Sequence, residues 1–202
     1  MKRVLTGAAA GALLAAIPAL AFDQASVDAL LSTKQCYDCD LTGADLAGAD
    51  LADVYLTYSN LTGANLGGAD LSNGFMSLAD FTSADLSNAT IDGGNLSQTN
   101  LSGATLSNAS LAGASLRNAS LTGARADGAF LGGAILVRAN LRDADFTGAD
   151  LTGADLTSAI VTGAVFTDAD LSGAITERMS FSSAILCRTT MPDGSVNDSG
   201  CP

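Results

Sequence analysis

The chain has no histidine and no tryptophan, and Glu177 is its only glutamate. Without histidine, a hydrolase loses its usual general base and a zinc site its commonest ligand. No glycine-rich phosphate loop follows a strand-like run, so nucleotide chemistry has no foothold either. The missing glutamate carries a structural message. Helical surfaces draw freely on Glu and Lys, whereas this chain of 202 residues has 20 aspartates. Extensive helix is therefore excluded. A hydrophobic content of 48% excludes disorder as well. Catalytic residues, metals and cofactors are not expected; the protein reads as a non-enzyme.

A long apolar run occurs only once, at the start. Lys2 and Arg3 precede an Ala/Leu/Ile stretch, and Pro18 leads into Ala19-Leu20-Ala21. That order matches the positive, apolar and small-residue regions of an export signal. Residues 1–21 are thus expected to be a signal peptide, with Phe22 as the mature N-terminus and an uncleaved anchor as the rival. The protein is expected to be exported, periplasmic or secreted, and free of the membrane once cleaved. The whole chain carries a formal net charge of −12. Such a surface repels nucleic acid and anionic lipid, so no nucleic-acid partner is expected.

From Leu41 to Leu186 a large residue recurs every fifth position. Leucine fills 21 of the 30 centres; Phe fills four, and Met76, Ile91 and Val161 three more. Ala126 and Thr176 depart from the apolar set. Alanine stands two residues before the centre in 23 of the 30 repeats. A period of five suits neither a helix nor a flat strand, but it suits a solenoid with an inward centre and a turn after it. Gly and Asn two places after the centre fit that turn, because they tolerate positive φ.

The repeated A-D-L-T-G over residues 39–188 resembles the pentapeptide-repeat family. The resemblance implies an all-β, right-handed quadrilateral β-helix with four repeats per coil. Residues 20 apart then stack about 4.8 Å apart, and the rod is roughly 35 Å long. Residues 22–38 read as an N-terminal cap containing a short amphipathic helix. Phe22, Val27, Leu30 and Leu31 would press on the first coil, with Asp23 or Ser26 capping the helix. Residues 189–202 are turn-rich and read as a C-terminal cap. The motif CYDCDL and the closing segment CRTTMPDGSVNDSGC resemble the ends of exported bacterial members of the family.

Four cysteines allow three pairings. On so long a rod only Cys36–Cys39 and Cys187–Cys201 are within reach, and export favours their oxidation. Redox or zinc roles for these thiols are set aside on the β setting and on that separation.

Tyr55 and Tyr58 flank the inward Leu56, and Phe75 and Leu78 flank Met76 twenty residues on. All four are expected to face outward, stacked on one side. They could pack against one another or lie under the chain's own N-terminal segment, or they could form an interaction surface for a protein partner or a second copy. The leading expectation is an exported structural or protein-interaction module. The alternatives are an acidic DNA mimic of the gyrase-interacting kind, implied by the family, and an ice- or ligand-binding surface on the Thr42, Thr62, Thr82 column.

Overall fold

The computed structural model describes residues 23–202. The expected signal peptide and Phe22 lie outside the described residues. The body is a rod in which residues 20 apart pair in parallel on every side: Asp40 with Asn60, Asp45 with Asn65, Asp50 with Asp70, Tyr55 with Phe75. Four pentapeptides therefore complete one coil. Its sides are called walls 1 to 4, after the inward centres Leu41, Leu46, Leu51 and Leu56. Wall 4 continues through Met76, Leu96, Leu116, Leu136 and Leu156.

The repeat unit follows from where its five amides go. In the unit centred on Leu61, Leu61 N donates to Asp80 O at 2.7 Å and Gly63 N to Thr82 O at 2.9 Å. Asn60 N reaches back to Cys39 O at 2.8 Å, and Ala64 N closes a turn on Leu61 O at 3.0 Å. The fifth amide, Thr62 N, donates to the Asn60 side-chain oxygen at 3.0 Å. No backbone donor is left over, as buried ladders require. A short Asp or Asn side chain closes this bond to the amide two residues on best, with Ser a weaker substitute, and Glu is a methylene too long. The same bond recurs from Thr42 to Asp40, Thr82 to Asp80, Thr147 to Asp145 and Ser172 to Asp170. Ten of the 20 aspartates close a turn of the rod in this way, which gives the preference for aspartate over glutamate a backbone cause.

Each turn of the rod except the last on wall 1, at Ser183, has positive φ at its third residue only, the requirement of a type II turn. Glycine meets it without strain at Gly63 (φ 65°). Inside, the centres and the small residues before them form one continuous core, from Leu41 to Leu171, almost entirely excluded from solvent. Phe146 and Phe166 stack there at 5.3 Å. Three polar residues share this interior, and each finds a partner. Thr99 bonds Leu96 O, Thr189 bonds Phe166 O, and Ser59 accepts from Cys39 N while donating to Cys36 O.

At the N-terminal end, α1 spans Gln24–Thr33. Asp23 caps it, accepting from Ala25 N at 3.1 Å and from the Ser26 hydroxyl at 2.9 Å. Lys34 ends it in the left-handed conformation. Val27 and Leu30 join the core, but Leu31, expected to press inward, is 51% exposed. One residue past Leu30, it is turned a full 100° away on the helix. The pairing ladder already includes Gln35, which bridges to Tyr55, so Cys36 occupies an inward centre.

The opposite end departs from the sequence register. Wall 1 loses its ladder after Ile160, and Gly163 N turns to Ser183 O instead of residue 182. Met179 stands where alanine belongs, and Thr176 takes a core centre. Methionine overfills an alanine site and threonine sets a hydroxyl where the core wants a leucine, and the last coil opens there. The chain then folds back as a two-stranded antiparallel hairpin, β1 (Thr189–Thr190) and β2 (Val196–Asn197).

Candidate functional site

Wall 4 is built differently from its neighbours. The left-handed turn position is glycine at five places on wall 1, four on wall 2 and five on wall 3. On wall 4 it is never glycine. Asp38, Tyr58, Leu78, Gln98, Asn118, Arg138, Ser158 and Arg178 all hold φ between 55° and 65°. A side chain in that conformation costs ~1–2 kcal/mol. The turn-capping Asp or Asn is also scarce on wall 4, where Tyr55, Phe75, Ile135 and Ile175 stand in its place. The wall thus gives up two local stabilisers in order to present large side chains.

Glycine restored here relieves the strain. Gln98→Gly is expected to raise stability by about 0.5–1 kcal/mol, the left-handed penalty less glycine's extra chain entropy. Gly113→Gln, on wall 3, is expected to lower it by a similar amount. Urea unfolding of the two variants measures both.

The four residues singled out in the sequence come together as expected. Tyr55 and Phe75 stack at 4.7 Å, and both are 44% exposed; Tyr58 and Leu78 occupy the corner beside them, 49% and 39% exposed. No described residue covers them. Tyr37, which sequence reasoning passed over, extends the patch edge-on to Tyr58 at 5.4 Å and is 70% exposed. Its signal was its place twenty residues before Thr57, inside the CYDC motif. Farther along, Ile175 adds to the same wall.

Charge separates this wall from the rest. Wall 3 carries Asp50, Asp53, Asp70, Asp92, Asp150 and Asp170 with no basic residue of its own. Lys34, beyond α1, pairs with Asp50 at 2.7 Å and holds its carboxyl below the usual range. Wall 1 and wall 2 are also net negative. Wall 4 balances Asp38, Asp155 and Glu177 against Arg117, Arg138 and Arg178.

The threonine column of wall 1 is bound up within the repeat. The Thr42 and Thr82 hydroxyls donate to Asp40 and Asp80 at 2.6 and 2.5 Å, and the Thr42 bond lowers the Asp40 pKa. Asp and Asn do meet across coils, as where Asn65 donates to Asp45 at 2.9 Å.

Both ends carry disulfides. Cys36 joins Cys39 with Cα atoms 5.6 Å apart, and Cys187 joins Cys201 at 4.6 Å. Beside the second, Arg188 grips Asp168 through both carboxylate oxygens, at 2.5 and 2.6 Å, and depresses its pKa. A hollow of about 460 Å³ opens at this end between Phe181, Met191 and Pro192, rimmed by Asp193, Ser195 and Asn197. The Asp193–Ser195 bond within it at 2.6 Å belongs to a tight turn and lowers the Asp193 pKa.

Known proteins share this construction. A family profile described as pentapeptide repeats matches residues 35–73, 59–98, 99–136 and 127–163. Among solved structures, the chain is similar to HetL, a pentapeptide repeat protein involved in heterocyst differentiation regulation in the cyanobacterium Nostoc sp. strain PCC 7120. The identity is 32% over 81% of this chain and 89% of that one, with a TM-score of 0.38. A pentapeptide repeat protein of the Arabidopsis thaliana thylakoid lumen is 34% identical over 49% of this chain and 69% of its own, with a TM-score of 0.45. QnrB1, a plasmid-mediated fluoroquinolone resistance protein, is 23% identical over 82% and 78%, with a TM-score of 0.39. No curated protein matches the chain. With four five-residue units to each coil, an apolar centre in each and a profile match across most of the rod, the chain belongs to the pentapeptide-repeat family, whose members fold as right-handed quadrilateral β-helices.

Proposed function

We propose that this protein is an exported, non-enzymatic β-solenoid that acts as a protein-interaction module through wall 4. The observation that carries the reading is the exposed cluster of Tyr55, Tyr58, Phe75 and Leu78, held on a wall whose corners forgo glycine at every turn. Strain and lost caps concentrated on one surface are the mark of a surface selected for contact. Tyr-rich, charge-balanced patches are what interface cores are made of. Two disulfides fit an oxidising compartment, which supports export. In this reading α1 and the C-terminal hairpin cover the two open edges of the rod, as solenoids require.

Much of the acidity of walls 1 to 3 has a backbone cause, because nine of their 14 aspartates close turns. It therefore lends gyrase-directed DNA mimicry little weight, and supercoiling by gyrase is expected to proceed normally in the protein's presence.

The test replaces the corner residues with Tyr58→Ser and Leu78→Ser together. Both lie outside the core, so circular dichroism and both disulfides are expected to be unchanged. Immobilised wild-type protein is expected to capture a specific protein from the exported compartment, and the double variant to lose at least about tenfold of it. Equal capture by both proteins sinks the reading.

A further inference from the structure

The reading above leaves the partner open. Resting on it, we infer that wall 4 is self-complementary and docks against wall 4 of a second copy, with the two rods side by side and antiparallel.

Two copies of so acidic a rod repel through walls 1, 2 and 3, and wall 3 meeting wall 3 would set six carboxylates against six. Wall 4 is the one side with balanced charge, and its charge is also sorted along the rod. Asp38 lies alone at the N-terminal end, while Arg117, Arg138 and Arg178 share the C-terminal half with Asp155 and Glu177 and leave it one net positive charge. Such polarity favours an antiparallel partner.

A flat wall can meet itself about two kinds of two-fold axis lying in the interface. An axis along the rod keeps the copies parallel and sets each coil against its own equivalent. Arg117 then faces Arg117, and Glu177 faces Glu177. An axis across the rod, between the coils of Gln98 and Asn118, reverses the coil order while each column of side chains faces itself. In that arrangement Asp38 meets Arg178 of the second copy, Phe75 meets Ile135, and Tyr55 offers its hydroxyl to Asp155. The aliphatic stem of Arg138 lies against Leu78. Each contact occurs twice, as an isologous interface demands.

The turn geometry fits this arrangement. Asp38, Leu78, Arg138 and Arg178 all occupy the left-handed corner column, with φ of 57°, 62°, 58° and 55°. The wall without glycine is thus a single column of side chains that faces its own reverse. A contact covering only the aromatic coils would not require side chains at Ser158 and Arg178, six and seven coils from Asp38.

The purified full chain, examined alone by sedimentation and small-angle X-ray scattering, decides the matter. A dimer is expected whose cross-section doubles while its length stays that of one rod. Asp38→Arg or Arg178→Asp alone is expected to weaken the dimer by about tenfold, and the two changes together to restore it to within about threefold. Both residues are exposed at corners, and circular dichroism of each variant confirms folding. A monomer at every concentration overturns the inference. So does a dimer of doubled length, or a double variant no tighter than the single ones. A monomer that still captures another protein through Tyr58 and Leu78 overturns self-association alone and leaves the interaction module standing.

Discussion

Leu101→Asp is expected to abolish cooperative folding of the rod. Leu101 is fully buried in a middle coil, stacked between Phe81 and Leu121, which are equally buried. Losing the leucine side chain costs about 2–5 kcal/mol. An ionised carboxylate in its place has no cation within the core, and its desolvation adds several kcal/mol more. A domain of this size holds roughly 5–15 kcal/mol in total. A solenoid makes matters worse, because each coil touches only the coils before and after it. Interrupting a middle coil parts the N-terminal coils from the C-terminal ones, and neither half can borrow support across the break. Leu101→Ala gives the contrast. It is expected to lower stability by about 2–5 kcal/mol and keep the fold. Thermal unfolding followed by circular dichroism reads both variants. An aspartate variant that melts like the wild type would place Leu101 outside the core.

Much of this architecture was open to inspection in the residues, and the physical reason is the strictness of the repeat. A five-residue period with an apolar centre leaves the chain one way to bury Leu41, Leu46 and Leu51 together. The 20-residue stacking follows from four repeats per coil, and it alone puts Tyr55, Tyr58, Phe75 and Leu78 on one side. The identity of the cysteine pairs followed from the length of the rod. Other features were hidden for definable reasons. A tyrosine at position 58 gives no hint of a left-handed backbone, because register imposes that conformation against local preference. Only when Tyr58 is lined up with Asp38, Gln98 and Arg178 does the glycine-free corner emerge. The aspartates looked like a surface charge pattern, and their bond to the amide two residues on required the turn to be seen. The opening of the last coil could have been read in Met179, which takes an alanine's place. The five-residue period of large residues runs on through Phe181 and Leu186 and masks it.

Removing the C-terminal disulfide is expected to free the tail and spare the rod. Cys187 and Cys201 are separated by 14 residues, and closing a loop of about that length contributes about 3 kcal/mol. Residues 186–192 are held to the preceding coil without it, by Asp168 N to Cys187 O, Leu171 N to Thr190 O and Gly173 N to Pro192 O, so the bridge chiefly secures the residues after them. Wall 1 has already lost its ladder beyond Ile160, and Gly200 N to Leu186 O, at 2.6 Å, is the nearest backbone tie. Paired changes Cys187→Ala and Cys201→Ser should therefore let residues 193–202 open while residues 186–192 and the coils from Leu41 to Leu141 keep their amide protection. Hydrogen exchange, resolved by peptide, measures this directly. The N-terminal bridge should behave differently. Cys36 and Cys39 are three residues apart, so the loop they close removes little chain entropy. Ser59 also holds both ends of that link by hydrogen bonds to Cys36 O and Cys39 N. Losing the Cys36–Cys39 bond should cost a fraction of what losing Cys187–Cys201 costs. Equal losses at the two ends, or exchange spreading through the middle coils after the tail is cut free, would mean that the coils are not held by their neighbours alone.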